Sequence, residues 1–243
     1  MPPDAHDDDH RQLDEFISLL AHDLRTPLTS IRGYAQLMLR QRRGATEGGR
    51  DDDTVSDGLR IIMEQADRLA SMTELLLDVS RIRRQRVGLN TRNPVDLSAT
   101  LRTAAAALSG VQVAIHAPEH GPQLTADGAR VQQIIVAMLR FLAVRGGSEP
   151  VSATVQVSDG AVTLAADGAG DPLDSEAAKR LLHQLVEPAP SASGWQLART
   201  DLFVARGMAE AHGGSLTVES PPDGAGRGVR LTLTLPLVPP APD

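Results

Sequence analysis

The chain has 243 residues, 41% hydrophobic and 23% charged. These are ordinary globular proportions, which exclude wholesale disorder and leave room for one or two domains. Lys and Arg number 24 against 31 Asp and Glu, a net charge of −7, which argues against nucleic acid or an anionic membrane surface as the main partner. No cysteine is present, so disulfides, thiolate catalysis and Cys-ligated zinc are excluded, in keeping with a reducing compartment. Aromatic residues are only 2%, so Leu, Val, Ile, Ala and Met must build the core. The opening MPPDAHDDDH is acidic and lacks the apolar core of a signal peptide. The densest apolar run, Ile134 to Val144, is short and broken by Arg140, so no membrane span is expected and a cytoplasmic location is.

Residues 11–43 read as one long helix, with Leu13, Phe16, Leu20, Leu24, Pro27, Ile31, Tyr34 and Met38 at steps of three and four. A second stripe, Leu59, Ile62, Ala66, Leu69, Met72, Leu76 and Val79, predicts a helix over about 57–86. The Gly/Asp-rich stretch between them reads as a loop, with Asp51, Asp52 and Asp53 at its solvated tip. Asp7, Asp8 and Asp9 suit the positive end of the first helix. An antiparallel hairpin has one apolar face that nothing covers, so pairing with a second copy into a four-helix bundle is the physical expectation.

After TRNPVDLS the texture changes. NPVD reads as a linker or first strand, and Leu97 to Leu108 as an Ala-rich helix with Ser98 as its N-cap. Val111 to Ile115 alternates like a strand, and Ala129 to Val144 is a helix apolar on most sides. Val151–Val157 and Ala161–Ala165 form a hairpin around Ser158-Asp159-Gly160. Helices over Glu176–Val186 and Leu202–His212 follow, then strands over Ser215–Glu219 and Val229–Leu237, and a loose PPAPD tail. Strands and helices mix without strict alternation, which makes this half α+β.

The chemistry concentrates in the first helix, at His22-Asp23-Leu24-Arg25-Thr26-Pro27-Leu28. His22 lies roughly 200° around the helix from Leu20, opposite the apolar stripe, and so faces solvent. Thr26 follows one turn later on the same side. Pro27 leaves the Asp23 carbonyl without its helical donor and should kink the helix there. An exposed neutral imidazole attacks through one nitrogen while a neighbouring carboxylate takes the proton from the other.

FISLLAHDLRTPLTSIRGYAQLML closely resembles the phospho-accepting box of sensor histidine kinases, and LRIIMEQADRLASMTELLLDVSRI resembles the second helix of that family's dimerisation hairpin. The resemblance implies that His22 is phosphorylated, that Asp23 is its acid/base partner, and that Thr26 positions water when a phosphorylated response regulator is dephosphorylated. It implies a fold in which an α hairpin forms a dimeric four-helix bundle, followed by an α+β two-layer sandwich of the histidine-kinase ATPase type. The boundaries that follow are an acidic segment over 1–10, the dimerisation and phosphotransfer hairpin over 11–88, the ATPase-like domain over 94–238 and a tail over 239–243.

The second half is similar to the family's ATP-binding domain in layout but departs from it in chemistry. LTADGARVQQIIVAMLRFLAVR resembles the segment that carries two asparagines and a lysine, with Asp127, Arg130 and Gln133 matching. Ala137 and Phe141 then fall at the asparagines and Val144 at the lysine. In the family the second asparagine ligates Mg²⁺, and Phe141 offers no oxygen to a hard cation. In Ala166-Asp167-Gly168-Ala169-Gly170 both box glycines are kept, but the adenine-reading carboxylate position is Ala166, and Asp167 is one residue late. Gly168 and Gly170 read as turn glycines. Counting back from Glu210-Ala211-His212-Gly213-Gly214 places Arg199 and Asp201 where glycines would bare backbone N–H groups to phosphate. Asp171 to Ser193 has the length of a family lid without its glycine-rich run.

The nucleotide site is therefore expected to be degenerate, with no metal site and no cofactor beyond Mg and ATP if the divergent site still binds them. The resemblance implies a signalling core without its own sensor domain, similar to histidine phosphotransferases derived from kinases. Such a protein carries phosphoryl on His22, exchanges it with the Asp of a response regulator receiver domain or removes it, and works as a homodimer away from nucleic acid and membrane. Two alternatives stay open: a cytoplasmic ATP-dependent histidine kinase with a divergent site, and a non-catalytic pseudokinase scaffold.

Overall fold

The computed structural model describes residues 5–44, 52–89, 93–158, 160–186, 193–222 and 227–238. The PPAPD tail, Asp51 and most of the first interhelical loop lie outside the described residues. The chain divides into two compact units, Met1–Asp78 and Val79–Asp243.

The first unit is made of two helices, α1 (Ala5–Gly44) and most of α2 (Asp52–Arg83). Both begin before the predicted positions, at Ala5 and at Asp52. Gly58 lies against Met38, where an added Cβ would meet the Met38 Sδ at 3.3 Å. That contact sets an antiparallel register: eighteen residues back along α1 is Leu20, and eighteen forward along α2 is Leu76. Phe16, Leu20, Met72 and Leu75 are accordingly buried. Pro27 lies within α1, which is continuous through it.

The second unit is a two-layer α/β sandwich. Its five-stranded sheet has the order β2-β4-β5-β7-β6, and β1 (Asn93–Asp96) pairs separately with β3 (Gln123–Ala126). In the sheet, β2 (Val113–His116) runs parallel to β4 (Val151–Ser158), while β4, β5 (Ala161–Gly168), β7 (Val229–Pro236) and β6 (Ser215–Glu219) are antiparallel to their neighbours. One face alternates inward, with Val162, Leu164, Ala166 and Gly168 on β5 and Val229, Leu231, Leu233 and Leu235 on β7 all buried. Helices α3 (Leu97–Ala106), α4 (Gly128–Gly146) and α6 (Ser193–Ala211) make the second layer. Short α5 (Ser175–Leu181) packs against α6 and β6.

The structure corrects several boundaries. The N-cap of α3 is Asp96, not Ser98. Its carboxylate accepts the Ala99 amide at 2.9 Å and the Gly121 amide at 3.0 Å, so one ionised group ties two segments. The Ala99 bond leads in holding the Asp96 carboxyl below its usual range. Strand β3 has no counterpart in the pattern, being four residues squeezed between a turn and the Asp127 cap of α4. Helix α5 stops at Leu181, and α6 starts nine residues before Leu202.

His212 joins two elements from inside. The Asp127 amide donates to its Nε2 at 3.2 Å, so Nδ1 carries the proton and donates to the Met208 carbonyl at 2.8 Å. The N-terminus of α4 is thereby fastened to the C-terminus of α6.

Candidate phosphotransfer and nucleotide sites

On α1, His22 has 76% of its side chain exposed and the neighbouring Asp23 only 7%. The difference follows from the helical repeat. Phe16, Leu20, Asp23 and Pro27 stand at steps of four, three and four, and all four are buried. Asp23 therefore occupies a position of the apolar stripe, while His22 and Thr26 are exposed. His22 Nδ1 lies 3.4 Å from Asp23 Oδ1, a long contact. In the tautomer with its proton on Nδ1, the imidazole donates toward this carboxylate and keeps a lone pair on Nε2. The arrangement provides a nucleophilic nitrogen and, behind it, an acceptor for the proton released when that nitrogen becomes substituted. Next to Pro27, Thr29 Oγ1 donates back to the Arg25 carbonyl at 2.8 Å.

In the second unit the positions singled out from sequence lie around α4, the end of β5 and α6. Ala137 and Phe141 are buried on α4, Phe141 completely, and Ala166 is wholly buried on the inward face of β5. None of the three carries a side-chain oxygen. Asp167 takes the opposite pleat and is spent there. Arg230, its cross-strand partner on β7, donates Nε to Oδ1 at 2.7 Å and Nη2 to Oδ2 at 3.3 Å.

Arg199 is buried on α6, 2% exposed. Asp201, two residues on, accepts a bond from Arg140 Nη1 of α4 at 3.0 Å. Burial raises the Asp201 pKa, and Arg140 opposes that rise. The glycines have structural work: a Cβ on Gly168 would come within 2.8 Å of Leu142 Cβ, and Gly170 has φ +115 against the Arg145 carbonyl. Mg²⁺ bridging nucleotide phosphates demands oxygen ligands, and the kinase resemblance calls for a carboxylate against the adenine amine. The side chains at these positions do not fit that group. Among the described residues no cluster of three or more His, Asp or Glu could hold a metal ion, and no helix is long and apolar enough to cross a membrane.

Sequence reasoning named these positions without their partners. Arg140 and Arg230 carry no motif, because their roles come from helix packing and strand register. The burial of Asp23 was missed: the stripe was read through Leu24, which is only half-buried, although the steps of three and four from Leu20 to Pro27 pass through position 23.

The helical hairpin and the two-layer α/β domain have the fold of solved histidine kinases. Residues 12–85 match the His Kinase A (phospho-acceptor) domain, and the chain carries a core of this HisKA type, homologous to sensor histidine kinases. It is 25% identical over 231 residues to the signal transduction histidine-protein kinase AfsQ2 of Streptomyces coelicolor, covering 93% of this chain and 42% of that protein. The chain spans less than half the length of the curated relatives it matches. Among solved structures, the Acinetobacter baumannii histidine kinase AdeS superposes with a TM-score of 0.59 at 15% identity, over 89% of this chain and 98% of that one. Histidine kinase ThkA, solved in complex with response regulator protein TrrA, gives a TM-score of 0.56 at 17% identity, over 96% of this chain and 64% of that one.

Proposed function

We propose that the protein is a two-component phosphotransfer protein that carries phosphoryl on His22 and exchanges it with the Asp of a response regulator, its own ATP site being impaired. The observation that carries this reading is the pairing of an exposed His22 with a buried Asp23 on one helix. In the transfer, the Nε2 lone pair attacks the phosphorus of a receiver acyl phosphate. The P–O bond to the receiver carboxylate breaks, and that carboxylate leaves with the electron pair. The Nδ1 proton passes to Asp23, which keeps the phosphorylated ring neutral. Thr26 lies one turn away, where a hydroxyl can orient a water that attacks the phosphorus of the receiver's acyl phosphate, releasing inorganic phosphate and the free carboxylate.

The impaired ATP site rests on Phe141, Ala166 and the Arg140–Asp201 pair, which stand where a Mg-nucleotide needs oxygens and bare backbone. A homodimer belongs to the same reading. Leu28 and Leu39 on α1 and Leu59 and Met63 on α2 expose 50–67% of their surface in one protomer, apolar area that a second hairpin would cover. So does a cytoplasmic setting, together with a response regulator as the partner, as in the complex of ThkA with response regulator protein TrrA. Labelling of His22 by a phosphorylated receiver domain, with loss of the label in His22→Ala, tests it.

A further inference from the structure

A phosphoryl group on His22 brings up to about two negative charges to a ring that already lies beside the Asp23 carboxylate. A cation within reach would offset that charge. Over residues 11–40 the cations of α1 are Arg11, Arg25, Arg32 and Arg40. Arg11 and Arg32 lie roughly 15 Å or more along the helix axis from His22, whereas Arg25 lies about 4.5 Å away. Arg25 is also only about 60° around the helix from His22, and side chains three residues apart are neighbours on a helix surface.

Arg25 is exposed. Among the described residues its guanidinium has no ion-pair or hydrogen-bond partner. Its neighbours at three and four residues are Ala21, His22, Leu28 and Thr29, none of them an anion. Asp23 does not fill that role, because it stands about 160° around the helix with its side chain buried. The Arg25 carbonyl accepts the Thr29 hydroxyl at 2.8 Å, which gives the turn that carries Arg25 an extra donor beside Pro27. A phosphoryl group on His22 would therefore supply this guanidinium with an anion one turn away.

We propose that Arg25 is a phosphoryl-binding residue, whose guanidinium donates two N–H groups to the phosphoryl oxygens as the group reaches and rests on His22 Nε2. The inference rests on the phosphotransfer reading above. Arg25 makes and breaks no covalent bond. Nε2 attacks, the receiver carboxylate leaves and the Nδ1 proton passes to Asp23 as before, while Arg25 offsets the charge on the oxygens that are not reacting. The two neighbours of His22 thus divide the work: Asp23 on the buried side takes the proton, and Arg25 on the exposed side takes the phosphoryl oxygens. The planar fork of an arginine matches phosphate geometry, where a lysine would supply charge alone.

The test uses the full chain as wild type, Arg25→Lys and Arg25→Ala, each labelled by a receiver domain carrying labelled acyl phosphate. Arg25→Ala should slow labelling of His22 about tenfold, the low end for a hydrogen bond to a charged group. Arg25→Lys should recover part of that loss, and circular dichroism should show the same helix content in all three. The ³¹P resonance of the phosphohistidine reads the contact itself. A nearby cation favours the dianion, so the second ionisation of the phosphoryl group should move to higher pH in Arg25→Ala. Slower labelling with an unchanged phosphoryl titration would show that Arg25 serves receiver docking, and would overturn the proposal. Label on His22 at an unchanged rate in Arg25→Ala would overturn the role of Arg25 and leave the phosphotransfer reading standing. A wild type that takes no label on His22 would overturn both.

Discussion

Asp201 of α6 and Arg140 of α4 face each other at 3.0 Å, the carboxylate with 21% of its side chain exposed and the guanidinium with 50%. This ion pair joins the two helices at a position where the kinase resemblance calls for glycine. Its consequences can be worked out with sign. Burial raises the Asp201 pKa and Arg140 works against the rise, so Arg140→Ala should raise it further. A carboxylate whose folded pKa lies above its unfolded value contributes stability that is fully present below the ordinary Asp range. That contribution is lost as pH rises through the folded pKa. Arg140→Ala should therefore cost about 1–2 kcal/mol at neutral pH, between the values for exposed and fully buried pairs. The deficit should shrink toward acid pH, and Asp201→Asn should recover most of it. Melting temperatures of Arg140→Ala, Asp201→Asn and the double variant between pH 4 and 7 check this. An equal deficit at every pH would show that the pair carries no electrostatic weight.

Phe141 is wholly buried in the contact layer of α4. Replacing it with Asn, which restores the family side chain, should destabilise the protein by about 3–5 kcal/mol, the range for large core truncations. Ala166→Asp would place an unpaired carboxylate on the inward face of β5 and should cost a comparable amount. Urea unfolding measures both. Nucleotide binding gained at no cost in stability would mean that the cleft is open.

The dimer prediction follows from Leu59 and Met63, four residues apart on α2 and 50% and 67% exposed. Burial of a full Leu or Met side chain is worth about 1.5–3 kcal/mol. Met63→Glu and Leu59→Glu should each weaken self-association tenfold or more, read by sedimentation equilibrium. Unchanged association would place the interface elsewhere.

Asp23→Asn keeps the shape of the side chain and removes the proton acceptor behind His22. Phosphoryl acceptance should slow by about 10²-fold, the lower end for a general base, with the helix content by circular dichroism unaltered. Thr26→Ala should spare acceptance and slow dephosphorylation of the receiver. An Asp23→Asn variant as fast as the wild type would reduce Asp23 to a buried structural group.

Much of this architecture was readable in the residues. The periodic stripes of α1 and α2 run for many turns, and the β4–β5 hairpin announces itself by alternation around Ser158-Asp159-Gly160. Strand β3 was not readable, because four residues between a turn and a helix cap carry no period of their own. The Ser98 cap was misplaced by two residues because Asp96 and Ser98 are both good caps, and only the fold brings the Gly121 amide to Asp96. At the candidate site, the identities at 22, 23, 141 and 166 were legible, as chemistry present or missing. The partners Arg140 and Arg230 were not, since each meets its target through packing between elements distant in sequence.

The central claim is that phosphate reaches His22 from a receiver domain and not from ATP. The direct test incubates the purified protein with labelled Mg-ATP and, separately, with a receiver domain carrying labelled acyl phosphate, with His22→Ala as control in each. Label on His22 from the receiver alone, absent in the control, is the result this account predicts. Label on His22 from Mg-ATP at a rate matching or exceeding transfer from the receiver would contradict it.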